Sequence, residues 1–160
     1  MKHKYKIALM DMTETFGKTS EAIRLKVGAM LYKNGAIISL GCNGTPSGYH
    51  TNECEDKIYH KSGNLIPLEW SEFPYTDERG RYGLKTKECV VHAEDACLRK
   101  MWNSHETTEG CIMFVSHAPC LPCSLKIKDA KISKVYYRHQ YRSTEGVEYL
   151  LENGVEVEQL

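Results

Sequence analysis

The stretch Cys111-Ile112-Met113-Phe114-Val115-Ser116-His117-Ala118-Pro119-Cys120-Leu121-Pro122-Cys123 reads as a buried strand running into a helix that carries two cysteines. Residues 111–115 are continuously apolar, as expected of a strand covered on both faces. Pro119 suits the first turn of the following helix, which extends to about residue 129. Cys120 and Cys123 are three apart, so a helix presents both thiols on one face. The dipole at a helix amino terminus also favours the thiolate, the form that binds metal.

Working outward, residues 27–32 and 36–40 form a hairpin around Lys33-Asn34-Gly35, because Asn-Gly tolerates positive φ. Tyr5, Leu9, Met12 and Phe16 recur at helical spacing and predict an amphipathic first helix over residues 4–18. Residues 92–102 form a helix with Ala93, Cys97 and Met101 on one stripe. Val135-Tyr136-Tyr137 is a strand, Ser143 or Thr144 caps a helix to about residue 152, and Gly154 ends it. Val155 and Val157 then alternate with Glu156 and Glu158 in a last strand. A hairpin followed by alternating helices and strands predicts an α/β fold in three layers, α/β/α. Residues 49–88 form a polar insertion without a period, whose Pro67, Trp70, Phe73 and Pro74 indicate partial packing. The expectation is one domain over residues 1–160 with that insertion.

The chain has 21 basic and 21 acidic side chains, a formal net charge of zero. A protein that grips a polyphosphate backbone usually carries a basic excess, so nucleic acid is not the expected main partner. No apolar run approaches the length of a membrane span, and Asp11 and Glu14 interrupt the first apolar stretch too early for a signal peptide. An odd count of seven cysteines fits a reducing cytoplasm better than a disulfide framework.

His92-Ala93-Glu94 lies upstream of the cysteine pair. His92, Cys120 and Cys123 make the ligand set of an open zinc site, with one position left for water. Zinc brings the pKa of such a water to about 7. Glu94, two residues from His92, handles the protons. The competing reading is a closed zinc site that holds the fold, with Cys89 or His117 as fourth ligand, in a binding module without catalysis.

H-x-E followed by P-C-x-x-C is the signature of zinc-dependent nucleobase deaminases. With Lys26-Val27-Gly28-Ala29, the loop Gly41-Cys42-Asn43-Gly44-Thr45-Pro46-Ser47-Gly48, Val135-Tyr136-Tyr137-Arg138, Tyr141-Arg142 and Gly154-Val155-Glu156-Val157, the chain resembles the cytidine deaminase superfamily. Within it, the resemblance is to the deoxycytidylate (dCMP) deaminases of phages and eukaryotes. It implies a mixed five-stranded sheet between helices. It also implies hydrolysis of dCMP to dUMP and ammonia, by attack of zinc-activated water on cytosine C4 with Glu94 as proton shuttle. Many relatives are homohexamers, activated by dCTP and inhibited by dTTP with Mg²⁺. The loop containing Gly41, Asn43, Gly44 and Thr45 matches the region near that regulatory site. The implied setting is the host cytoplasm.

By the same resemblance Asn43 contacts deoxyribose, with a plain Asn-Gly turn as the competing reading, and the backbone around Ala93 and Ser116 bonds the cytosine edge. Tyr137 is a wall for the base or a plain core residue. Arg24 and Lys26, sharing a strand face, are candidates for the 5′-phosphate, with Arg138 and Arg142 as a second choice. Some relatives carry a second, structural zinc. His50, Cys54, His60 and Cys89 offer ligands for one, but their spacing follows no tight zinc pattern. Other substrates remain open: free cytidine, dCTP, 5-substituted dCMP and the wobble adenosine of tRNA.

Overall fold

The computed structural model describes residues 1–60 and 71–160. Five strands form a mixed sheet in the order β2-β1-β6-β7-β8. They are β1 (Gly28–Lys33), β2 (Ala36–Cys42), β6 (Ile112–His117), β7 (Lys134–His139) and β8 (Glu156–Gln159). β1 pairs antiparallel with β2 and β6, while β6, β7 and β8 are parallel. The β1–β2 hairpin closes on Asn34 and Gly35, both at positive φ (50° and 88°) as the sequence predicts. Parallel strands require crossovers, and α3 (Leu121–Asp129) and α4 (Glu145–Glu152) supply them.

Alternation along the strands sorts the core into two layers. Ala29, Leu31, Met113, Val115, Val135 and Tyr137 face α2 (Ala93–Arg99), α3 and α4. Met30, Phe114 and Tyr136 face Met10 of α1 (His3–Gly17) on the other side. Phe114 is fully buried, stacked on Tyr136 at 5.0 Å and edge-on to Tyr32 at 6.5 Å. The α/β/α layering is the one expected. Among the described residues, no helix is long and apolar enough to cross a membrane.

Two expectations are corrected. Of the predicted stripe on α1, Leu9 packs at the edge of the core but Tyr5 and Met12 face solvent, at 53% and 50% exposure, and the buried face is Met10, Thr13 and Gly17. The helix approaches β1 backbone to backbone: a Cβ on Gly28 would fall 2.0 Å from the Thr13 carbonyl oxygen. Small residues therefore make that contact, and apolar periodicity does not register them. Residues 49–88 are not an irregular connection but hold a second antiparallel sheet, β3-β5-β4. Its strands are β3 (Glu55–Tyr59), β4 (Tyr75–Asp77) and β5 (Gly80–Thr86). They are short, β3 is charged on both faces, and the alternation of Tyr82 and Leu84 with Arg81 and Lys85 in β5 is too brief to stand out along the insertion. Phe73 packs edge-on to His60 at 5.0 Å, whereas Pro67 and Trp70 lie outside the described residues.

Candidate active site

Two helix starts meet beneath β6. His92 is the extended N-cap residue of α2, and Cys120 is the extended N-cap residue of α3. The predicted helix over residues 92–102 is α2 followed by a 3-10 turn, Lys100–Asn103. Pro122, rather than Pro119, sits in the first turn of α3. Val91 exchanges two backbone hydrogen bonds with Gly44 (3.1 and 2.8 Å), which fixes the chain entering His92. Gly41 of β2 lies so close to α2 that a Cβ would fall 2.5 Å from the Ala93 carbonyl oxygen. On the other side, Gly146 of α4 presses on the ligand loop. A Cβ there would fall 2.1 Å from the Pro119 carbonyl oxygen and 2.8 Å from the Cys120 carbonyl carbon.

Asp95 ties the two ligand-bearing helices together through Lys126 of α3 at 2.7 Å, and Arg99 of its own helix holds it at 2.8 Å. Lys126 is about half exposed. Lys126→Met is therefore expected to cost no more than about 1 kcal/mol. Chemical denaturation would read this as a small shift in midpoint without loss of metal.

His92 Nδ1 lies 3.5 Å from Cys120 Sγ and 3.4 Å from Cys123 Sγ. Zinc bond lengths in a tetrahedron put such nitrogen and sulfur atoms about 3.6 Å apart. The three donors lie within 4.8 Å of one another, so their spacing and chemistry fit zinc with one coordination position open. The hydrogen bond from the Cys123 thiol, then that from His92, holds Cys120 down at about 4. Cys123, which keeps the shared proton, is pushed up by that same contact and by burial. The thiolate beside it raises the His92 pKa. Among the described residues no second group of His, Cys, Asp and Glu comes together in this way; Cys54 is buried with its thiol on the Asn52 carbonyl.

Glu94, in the first turn of α2, is 5% exposed and lies against Cys123. Burial raises its pKa above the usual carboxylate range. A carboxyl group so placed can hold a proton and pass it on.

These groups open into a cavity of about 440 Å³. Leu25, Val27, Val90 and Ala118 give it apolar walls, and His92, Ala93, Glu94 and Cys120 its metal end. Arg24 and Arg142, both exposed, supply its cations. Asn43 lines it too, with both ends of its amide engaged: Val27 N–H donates to Oδ1 and Nδ2 donates to the Leu25 carbonyl, each at 2.8 Å.

The remaining candidates stand outside the lining. Lys26 is not on a strand, since β1 begins at Gly28, and its ammonium donates to the Ser20 carbonyl at 2.6 Å. Arg138 is held by Asp11 and Glu14. Ser116 is buried, its hydroxyl accepting the Gly28 N–H at 3.1 Å. Tyr137 is a core residue whose hydroxyl meets Gln140 at 3.2 Å. Gly41 and Gly44 brace the approach to α2, and neither they nor Thr45 line the cavity. Sequence reasoning missed Glu55, Thr86, His117, Gln140 and Tyr141 as lining residues. Burial, and then His139, lowers the His117 pKa, so its ring is neutral at pH 7.

The family profile described as "Cytidine and deoxycytidylate deaminase zinc-binding region" matches residues 3–139. The chain is 30% identical to the deoxycytidylate deaminase of Enterobacteria phage T4, over 93% of this chain and 86% of that one. A crystal structure of dCMP deaminase from the cyanophage S-TIM5, in complex with dCMP and dUMP, superposes with a TM-score of 0.80. It is 41% identical over 100% of this chain and 99% of that one. The apo form of that protein gives 0.78 at 38% identity. Profile, full-length similarity and donor set agree, and the chain belongs to the cytidine and deoxycytidylate deaminase family.

Proposed function

We propose that the protein hydrolyses dCMP to dUMP and ammonia. One observation carries the reading: a single cavity is lined by His92 and Cys120, whose third partner Cys123 lies buried behind them, by a buried Glu94 and by two exposed arginines, Arg24 and Arg142. Cytosine fits between the apolar walls, and the 5′-monophosphate finds its counter-charge in the arginines. The full-length likeness to a phage protein crystallised with dCMP and dUMP supports the same substrate.

Zn²⁺ held by His92, Cys120 and Cys123 supplies a Lewis acid that makes water nucleophilic at neutral pH. Glu94 takes a proton from the attacking water and passes it to ring nitrogen N3. It then takes the proton of the new C4 hydroxyl and delivers it to the departing amine as the C4 carbonyl forms, so one water enters and one ammonia leaves. Leu25, Val27, Val90 and Ala118 exclude competing water from the ring. Asn43, clamped by Val27 and Leu25, is a rigid wall against the deoxyribose.

The proposal extends to a homohexamer in the host cytoplasm, activated by dCTP and inhibited by dTTP with Mg²⁺. Gly41, Asn43, Gly44 and Thr45 are its regulatory segment. The Gly44–Val91 bridge supports this, because it joins that segment to the residue before His92. Ammonia release from dCMP, cytidine, deoxycytidine, dCTP and tRNA, each with and without dCTP or dTTP, tests the whole reading. dCMP is expected to be preferred at least about 100-fold over the nucleosides, the worth of a charge-assisted phosphate clamp. Preference for cytidine would overturn the phosphate assignment.

A further inference from the structure

The second sheet reaches the cavity at one place. Glu55 and Thr86 face each other in the register of β3 and β5, and both side chains line the cavity. Both also hold Arg24. The buried Glu55 carboxylate accepts the backbone N–H of Ile23 at 3.1 and 3.2 Å and that of Arg24 at 3.2 Å. Thr86 Oγ1 accepts a hydrogen bond from Arg24 Nη1 at 3.2 Å. One strand end thus fixes the main chain of Arg24, and the strand end opposite fixes its guanidinium.

Arg24 needs this help. It sits on chain with no helix or strand, between α1 and β1, and its side chain is exposed. An unheld arginine there samples many rotamers, and ordering it on a ligand costs entropy. With one N–H already on Thr86, the guanidinium keeps its other donors for an anion.

We propose that Glu55 and Thr86 are positioning residues that make the enzyme prefer a nucleotide over a nucleoside, by holding Arg24 where it meets the 5′-phosphate. The inference rests on reading Arg24 as a phosphate contact. It gives the inserted sheet a function: the segment that carries no ligand and no proton shuttle sets which cytosine compound is accepted.

The test is the ratio of kcat/KM for dCMP to kcat/KM for deoxycytidine, measured on zinc-loaded protein. Thr86→Val, which keeps shape and removes the acceptor, is expected to lower that ratio about tenfold, mainly through KM for dCMP. Thr86→Ser restores the acceptor and is expected to restore the ratio. Glu55→Gln is expected to lower it as well; if that variant fails to fold, the Thr86 pair carries the test. On an Arg24→Ala background, Thr86→Val is expected to change the ratio by no more than about twofold, because both act through one contact. A purely structural role predicts equal losses on both substrates, and that result overturns the proposal. If Arg24→Ala lowers the ratio while Thr86→Val and Glu55→Gln leave it unchanged, the phosphate reading stands and the positioning role falls. If Arg24→Ala leaves the ratio unchanged, the phosphate reading of Arg24 fails and takes the proposal with it.

Discussion

Glu94→Gln is expected to keep one zinc per chain and to lose about 10⁴-fold in turnover, the upper end for general acid–base catalysis. The upper end applies because the same carboxyl group serves water, ring nitrogen and leaving amine in turn. Glutamine has the same shape but cannot accept and return a proton. Folding gives an independent readout. Glu94 is buried and its charged form is disfavoured there, so a neutral amide is expected to leave the melting temperature unchanged or raised. Zinc content, melting temperature and ammonia release from one preparation would suffice. A zinc-loaded variant with substantial turnover would remove Glu94 from the chemistry.

Cys123→Ala is expected to abolish zinc binding and activity together. Cys123 is the buried member of the donor set, at 3% exposure, so solvent cannot substitute for its sulfur. Zinc at a thousand times its Kd stabilises a folded protein by about 4 kcal/mol. In a chain of this size that corresponds to a fall of about 8–16 °C in melting temperature. Wild-type protein stripped by a chelator is expected to melt close to the variant, which separates the metal's contribution from the small cavity left by sulfur. Stoichiometric zinc in Cys123→Ala would show that the metal is held elsewhere.

The metal centre was legible in the sequence because its chemistry restricts residue type within short spans. His92 with Glu94, and Cys120 with Cys123, each lie within one helix start, where spacing alone fixes their relation. Apart from Asn43, Arg24 and Arg142, the cavity wall was not legible. Glu55, Thr86, His117 and Tyr141 come from separate segments, and only tertiary packing makes them neighbours. Lys26 shows the reverse error: two cations two residues apart share a face only on a strand, and the strand starts later. The layering of the sheet followed from the continuous apolar run over residues 111–115, which marks a strand covered on both faces, and from the helices that alternate with the strands. The burial of Thr13 and Gly17 did not, since close backbone approach leaves no hydrophobic pattern.

The pressure of Gly146 on the Pro119 carbonyl bears on how the centre is born. All three metal donors leave the ribosome before α4, which braces the loop carrying Cys120. Synthesis proceeds at about 5–20 residues per second, so for seconds the thiols are exposed on an unfinished scaffold. A softer metal or an oxidant has access to the nascent chain then. Mismetallation is therefore a hazard of synthesis, and protein refolded with zinc in excess is expected to be more uniformly loaded than protein made in zinc-poor cells.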